Sequence, residues 1–208
     1  MKIARSLASL ALAPALALAF ATTLDAQERP LSPRGEASTH LGGTYEGRSY
    51  VGGSWIVVDY GRPILRGRDM FGSGSEYGQR MLAGAPVWRL GADRSTRLMT
   101  EADLMFGDQR LPAGEYSLFA DLSEDEWTLI ISNWGASDSF PVNDPDQLWG
   151  AYGYTDDRDV LRATMSVQTV EMTSDQLVIF FTNMTADGGT FAVWWGDQVA
   201  MTPFSLAR

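Results

Sequence analysis

The chain has 208 residues, of which 16 are basic, 26 acidic and one a histidine, so its formal net charge is -10, and it contains no cysteine. A surface this acidic repels phosphate backbones and anionic membranes, which excludes nucleic acid as an expected partner. Without cysteine there are no disulfides and no thiolate metal sites, and His40 alone leaves too few ligands for a histidine-based zinc site, so no cofactor is expected.

In chain order, Lys2 and Arg5 precede an apolar run over residues 7–21 that is broken only by Ser9 and Pro14. A short basic start, an apolar stretch of about fifteen residues and small residues after it form a signal-peptide pattern, too short for the roughly twenty residues of a bilayer span. Cleavage suits either Ala21 or Ala26, and Ala26 is taken as the boundary. The expectation is a signal peptide over residues 1–26 and a single β-rich domain over 27–208, exported to the periplasm or the exterior, with no stable membrane insertion after cleavage. Removing Lys2, Arg5 and Asp25 from the count leaves 14 basic and 25 acidic residues, a net charge near -11, and no lysine.

Beyond the leader, turn residues recur about every ten positions and separate apolar segments that alternate with period two. Strands are predicted over residues 55–60 and 97–100. Leu104-Met105-Phe106 turns through Gly107-Asp108 towards Arg110-Leu111. From Glu115 the pattern places Tyr116, Leu118, Ala120 and Leu122 on one face and Ser117 and Asp121 on the other, a half-buried strand. The acidic turn Ser123-Glu124-Asp125-Glu126 then leads into Trp127, Leu129 and Ile131, so these two strands are predicted to pair as a hairpin. Residues 160–171 and 177–183 give two more strands. The final pair, 190–195 and 198–204, is predicted to join through a two-residue turn at Gly196-Asp197. Eight or more such strands predict an all-β fold, an antiparallel β-sandwich of jelly-roll type or a partly open barrel, with at most a short helix within residues 72–85. Residues 133–154, rich in Gly, Asp, Pro and Trp, form a long loop of the kind that is either functional or flexible.

Few residues carry recognisable chemistry. His40 has no nucleophile elbow to serve and is read as a polar residue in a first strand. The run from Gly72 through Gly74 to Gly78 misses the spacing of phosphate-binding loops and is read as a turn. The acidic clusters Asn143-Asp144-Pro145-Asp146 and Asp156-Asp157-Arg158-Asp159 lack the alternate-position spacing of calcium loops and are read as solvated turns and strand-end caps. What remains is arginine and aromatic. Arg62, Arg66 and Arg68 follow a strand end, and Arg89 sits between Trp88 and Leu90-Gly91. Such arginines either pair with Asp59, Asp93 or Asp159 or form a bidentate site for a carboxylate or other anion. Trp134, Trp149, Tyr152 and Tyr154 either pack the loop or form a stacking platform for a sugar or an apolar ligand.

These residues fall within an ordered series of motifs: Asp59-Tyr60-Gly61-Arg62-Pro63, Arg66-Gly67-Arg68, Trp88-Arg89-Leu90-Gly91-Ala92, Leu111-Pro112-Ala113-Gly114-Glu115-Tyr116, Glu126-Trp127-Thr128-Leu129 and Trp149-Gly150-Ala151-Tyr152. The series resembles the bacterial domain of unknown function 2911 family over about residues 33–206. The resemblance implies an exported β-rich domain and no assigned reaction. Two departures stand out: Asp93-Arg94 replaces the family's usual Asn-Glu pair, and residues 75–85 look like added material. The sequence therefore offers Arg62, Arg89, Asp93, Trp149 and Tyr152 as a ligand-facing surface, and it assigns no catalytic residue and no metal ligand. The expected protein is a non-enzymatic binding or envelope-associated module whose partner is a small molecule, a glycan or an envelope component. The alternative is a glycan- or envelope-directed hydrolase built on two of Asp93, Glu115 and Asp159, which requires two carboxyl groups about 5 to 10 Å apart across a cleft.

Overall fold

The computed structural model describes residues 31–207, and the expected signal peptide lies outside them. Strand β1 (Arg34–Leu41) pairs antiparallel with β4 (Ser54–Gly61), and between them β2 (Thr44–Glu46) and β3 (Ser49–Val51) make a small separate hairpin. A single helical turn, α1 (Gln79–Leu82), precedes β5 (Thr96–Thr100). Then come β6 (Leu104–Phe106), β7 (Gln109–Leu111), β8 (Gly114–Leu122) and β9 (Glu126–Ser132). The long loop carries β10 (Gly135–Ala136) and β11 (Gln147–Leu148), and two long strands, β12 (Asp159–Thr182) and β13 (Gly188–Leu206), complete the chain. Nine of these strands form one antiparallel sheet in the order β1-β4-β5-β8-β9-β12-β13-β6-β7.

The sheet curls over its own apolar face without closing. The first half of β12 pairs with β9, its second half pairs with β13, and the end of β13 pairs with β6. The curl brings the segment after β4 back against β12, where Leu65 N–H donates to Asp175 O (2.7 Å) and Leu177 N–H to Pro63 O (3.0 Å). Tyr60, buried beside them, donates no backbone bond there but accepts Ile179 N–H at its hydroxyl (3.1 Å). An all-β antiparallel sheet of this kind matches the predicted class, as a partly open barrel with one short helix.

Two hairpins fall where the sequence puts them, Phe106 opposite Gln109 and Leu122 opposite Trp127. The expected turn at Gly196-Asp197 does not form. Trp194 faces Val178 and Gln198 faces Thr169, so β13 runs straight through and Gly196 lies opposite Ser174 with φ +59. The reason is the partner strand. Between Thr169 and Ser174 β12 advances five positions while β13 advances two from Gln198 to Gly196, so surplus residues bulge and bend the ladder instead of reversing it. The strands expected over 160–171 and 177–183 are therefore one.

The core lies inside the curl. Trp88, Trp127 and Trp195 meet there: Trp88 stacks on Trp195 at 6.0 Å with 11° between the rings and meets Trp127 edge-on at 5.7 Å. The other face of the sheet is also covered. Residues 133–158 fold back over β8 and β9, where Trp134, Leu148, Ala151 and Tyr154 pack with Phe119 and Ile130 in a second apolar cluster. This is why Ser117, expected on an open face, is buried.

Polar side chains tie that loop down. Ser95 Oγ donates to Gly150 O and to Leu148 O, Ser132 Oγ donates to Arg158 O (3.0 Å), and Arg97 Nη2 donates to Ala136 O (2.6 Å). Asp138, on the loop, accepts from both Arg94 and Arg97. Burial pushes the Asp138 carboxyl up, but the Arg97 and Arg94 charges and hydrogen bonds outweigh it, and the net position is below the ordinary carboxylate range. Because the folded value is the lower one, this stabilisation is present above the unfolded value of about 4 and is lost as pH falls through the folded value. Asp138 is two-thirds exposed, so solvent screening keeps the contribution under about 1 kcal/mol. Urea denaturation from pH 7 down to pH 3 checks this: Asp138→Asn is expected to be less stable than the parent at pH 7, by a margin that narrows as pH falls below about 4. A margin that stays the same from pH 7 to pH 3 would show that the charge is not what matters.

Candidate functional site

The segment following the α1 turn is held in an unusual path. Trp88 exchanges both backbone bonds with Ala120 (2.8 Å each), and Ala92 N–H donates to Gly61 O (3.2 Å). Thr96 Oγ1 donates to Leu90 O (3.0 Å), while Leu90 (φ 49) and Asp93 (φ 62) both take left-handed conformations. Such conformations in non-glycine residues are unfavourable by about 1–3 kcal/mol each and persist only where the surroundings fix them. Here they turn the backbone so that Arg89 and Asp93 face the same cleft.

Arg89 is held from three sides. Its Nη1 donates to Asp93 O (2.8 Å), its guanidinium lies over the Tyr152 ring at 5.1 Å, and Gly150 approaches so closely that a Cβ there would sit 2.7 Å from Nη1. Gly150 is fixed in turn by Ser95. Two further arginines, Arg68 and Arg80, line the cleft. Arg68 donates through Nε to Leu65 O (3.0 Å) and through Nη2 to Ile64 O (2.7 Å), and Arg80, on α1, donates through Nη1 to Asp69 O (2.6 Å). Among the described residues none of these three arginines forms an ion pair. Each is positioned by main-chain carbonyls, which fix its direction.

The cleft has a volume of about 200 Å³, and Trp88, Trp195, Met70, Met81 and Pro63 make its apolar wall. At about 30 Å³ per water it has room for roughly six waters, below the ~300 Å³ of a drug-sized pocket. Three positive groups and the Asp93 carboxylate leave it locally cationic in an acidic chain. Such an arrangement can hold a compact anion by charge-assisted hydrogen bonds while an apolar portion lies against the indoles.

Of the sequence-derived candidates, Arg89 and Asp93 line this cleft and Tyr152 supports Arg89 from outside it. Arg62 does not line it: its guanidinium packs near the Tyr60 ring and Gly35, and its Nε is buried without a hydrogen-bond partner. Trp149 is half-buried beside Gly150 and also lies off the lining. Trp134 and Tyr154 are packing residues of the second cluster. Arg80, which no motif marks, is brought in by α1.

The remaining acidic groups are occupied elsewhere. Asp59 pairs with Arg34 and Arg94, and Asp146 with Arg158. Asp159 accepts from Tyr154 Oη (2.7 Å) and Arg162 Nε (2.9 Å). Burial, followed by the bond to Asp159 and its charge, drives the Tyr154 hydroxyl well above its usual range, so it remains a proton donor to that carboxylate. Glu115 lies in a different hollow with Val57, Asp59, Arg97 and Met99. Asp93, Glu115 and Asp159 thus occupy three separate surroundings, and the structure does not gather them into one pair. Among the described residues no three His, Cys, Asp or Glu side chains group as metal ligands, and no helix is long and apolar enough to cross a membrane.

The model of a family described as a protein of unknown function, DUF2911, matches residues 44–204. No curated protein and no solved structure matches the chain.

Proposed function

The chain belongs to the DUF2911 family, and from the cleft we propose that it is a non-enzymatic binding module whose ligand is a compact organic anion. The observation that carries this reading is the convergence of Arg68, Arg80 and Arg89, each aimed by backbone carbonyls and none neutralised by a described carboxylate, on an indole-walled cleft. In a chain of net charge -10, Arg34, Arg94, Arg97, Arg110, Arg158 and Arg162 pair with carboxylates, whereas the three arginines that line the cleft are held by main-chain oxygens. The signal-peptide pattern in residues 1–26 supports export, so the module is read as a single domain over 27–208 working in the periplasm or outside the cell.

A thermal-shift titration with phenylphosphate, benzoate and sulfate, with benzyl alcohol as the neutral control, tests the reading. An anion at a hundred times its Kd stabilises the fold by about 2.7 kcal/mol, which is roughly 5–10 °C in a chain of this size. The expected result is a rise with at least one anion and none with benzyl alcohol, weakened at least tenfold in apparent affinity by Arg80→Ala and by Arg89→Ala. No rise with any anion, or an equal rise in both variants, would overturn it.

A further inference from the structure

The described residues contain a second built surface, remote in character from the arginine cleft. Tyr45, Tyr50 and Trp55 are among the few large apolar side chains left exposed, at 73%, 48% and 49%. They are not scattered. Tyr45 faces Tyr50 directly across the β2–β3 hairpin, and His40 faces Trp55 across β1 and β4. The rings run Tyr45, Tyr50, His40, Trp55 with successive centroids 5.0, 5.3 and 4.9 Å apart, each meeting the next edge to face.

The backbone around this row is shaped to hold it. A Cβ on Gly43 would lie 2.8 Å from the Tyr50 ring and one on Gly53 would lie 2.1 Å from the His40 ring, and both glycines have positive φ. Tyr50 Oη donates to Gly42 O, and Trp55 N–H donates to Glu101 Oε2 (2.8 Å). The hairpin itself buries none of its residues, so the row does nothing for the main core. It is a preorganised aromatic strip presented to solvent.

The strip continues into polar ground. Along β4, Trp55, Val57 and Asp59 share a face, and their registered neighbours are Met99, opposite Val57, and Arg97, opposite Asp59. Glu115, opposite Met99, completes a shallow hollow of about 190 Å³ lined by these residues. A row of exposed aromatic rings ending in hydrogen-bond acceptors is suited to a ligand with apolar C–H faces and many hydroxyl donors. The carboxylates of Glu46, Glu101 and Glu115 around the strip, in a chain of net charge -10, disfavour acidic polymers and anionic lipid headgroups. We propose that this strip binds a neutral polysaccharide chain, with the exposed Tyr45, Tyr50 and Trp55 rings packing against its sugar C–H faces and Glu115 accepting hydroxyl hydrogens in the hollow. This site is independent of the anion cleft.

Native affinity electrophoresis of the leader-free chain through gels containing hydroxyethyl cellulose, xylan, dextran or soluble starch tests it, together with iodide quenching of Trp55, the one exposed tryptophan among the described residues. At least one neutral polymer is expected to retard the chain and shield Trp55. Tyr45→Ala and Trp55→Ala are each expected to weaken that retardation about fivefold to tenfold. Tyr45 is so exposed that its variant is expected to keep the parent melting temperature and the anion-induced rise, so failure here is separable from failure of the cleft. No retardation by any of the four polymers, or retardation equal in both variants, overturns the proposal. So does binding to phosphatidylcholine vesicles, or self-association that Tyr45→Ala abolishes, without polymer retardation.

Discussion

Trp88→Ala is expected to destabilise the fold by about 3–5 kcal/mol, the range for truncating a fully buried aromatic. The Trp88 side chain is 2% exposed, stacks on Trp195 and meets Trp127 edge-on, so its removal leaves both indoles with Phe71 as their remaining ring partner and opens a void inside the curl of the sheet. Its backbone bridge to Ala120 remains, which opposes collapse of the site and places the loss towards the upper end of the range. In a chain of this size the melting temperature falls by roughly 10 °C or more. Urea denaturation with an unchanged m-value checks the figure, and Trp88→Phe, which retains a ring, is expected to fall between the two. A loss under about 1 kcal/mol would mean that the surrounding side chains close the gap, and that the stacked Trp88 and Trp195 indoles do not set the shape of the cleft wall.

Gly61→Ala is expected to be comparably severe for a different reason. A Cβ at Gly61 would lie 1.9 Å from Ala92 O, 2.8 Å from its carbonyl carbon and 3.1 Å from its nitrogen. These are main-chain atoms, so no rotamer change relieves the clash. The Ala92 backbone cannot retreat easily either, because it is bonded to Gly61 O and its neighbour Gly91 is pressed against Thr96 Oγ1. Overpacking of this kind is unfavourable by about 3 kcal/mol or more, and the distortion falls on the segment that aims Arg89. Gly67→Ala is the control: nothing lies within 4 Å of its Cβ, but its φ is +74, so only the backbone strain of about 1–2 kcal/mol applies. The expected order of denaturation midpoints is parent, Gly67→Ala, Gly61→Ala, with anion binding lost only in the last. A Gly61→Ala protein as stable as the parent would show that the Gly61–Ala92 approach is not tight in solution.

The two Gly-Asp dipeptides show what a local pattern can and cannot decide. Gly107-Asp108 turns the chain between Phe106 and Gln109, because the flanking strands are short and have each other as partners. Gly196-Asp197 has the same local chemistry, but β12 offers pairing on both sides of it, and continuing the ladder satisfies more backbone groups than reversing it. The break in alternation near Ser174 looked like a gap between strands for the same reason: a bulge and a loop have similar sequences and differ in what lies across from them.

The site was legible only in part. Arg89 and Asp93 stood out through Trp88-Arg89-Leu90-Gly91, whose glycine marks a close approach that the structure places against Thr96 and Gly61. Arg80 gave no such signal, since an arginine in a one-turn helix is an ordinary surface residue until the turn is set against Met70 and Trp88. The burial of Ser117 was equally hidden. Period two reports which face of a strand is apolar, and it carries no information about a distant loop that returns to cover the other face.

The place of the β6–β7 hairpin has a consequence for how the protein is made. Its segments lie in the middle of the chain, yet its neighbour in the sheet is the end of β13, with Met105 opposite Ser205 and Leu104 opposite Leu206. During synthesis this hairpin gains its sheet neighbour only once the residues up to Leu206 have been made. Completion of the sheet therefore waits on some of its most sequence-distant contacts, which favours slow acquisition of structure.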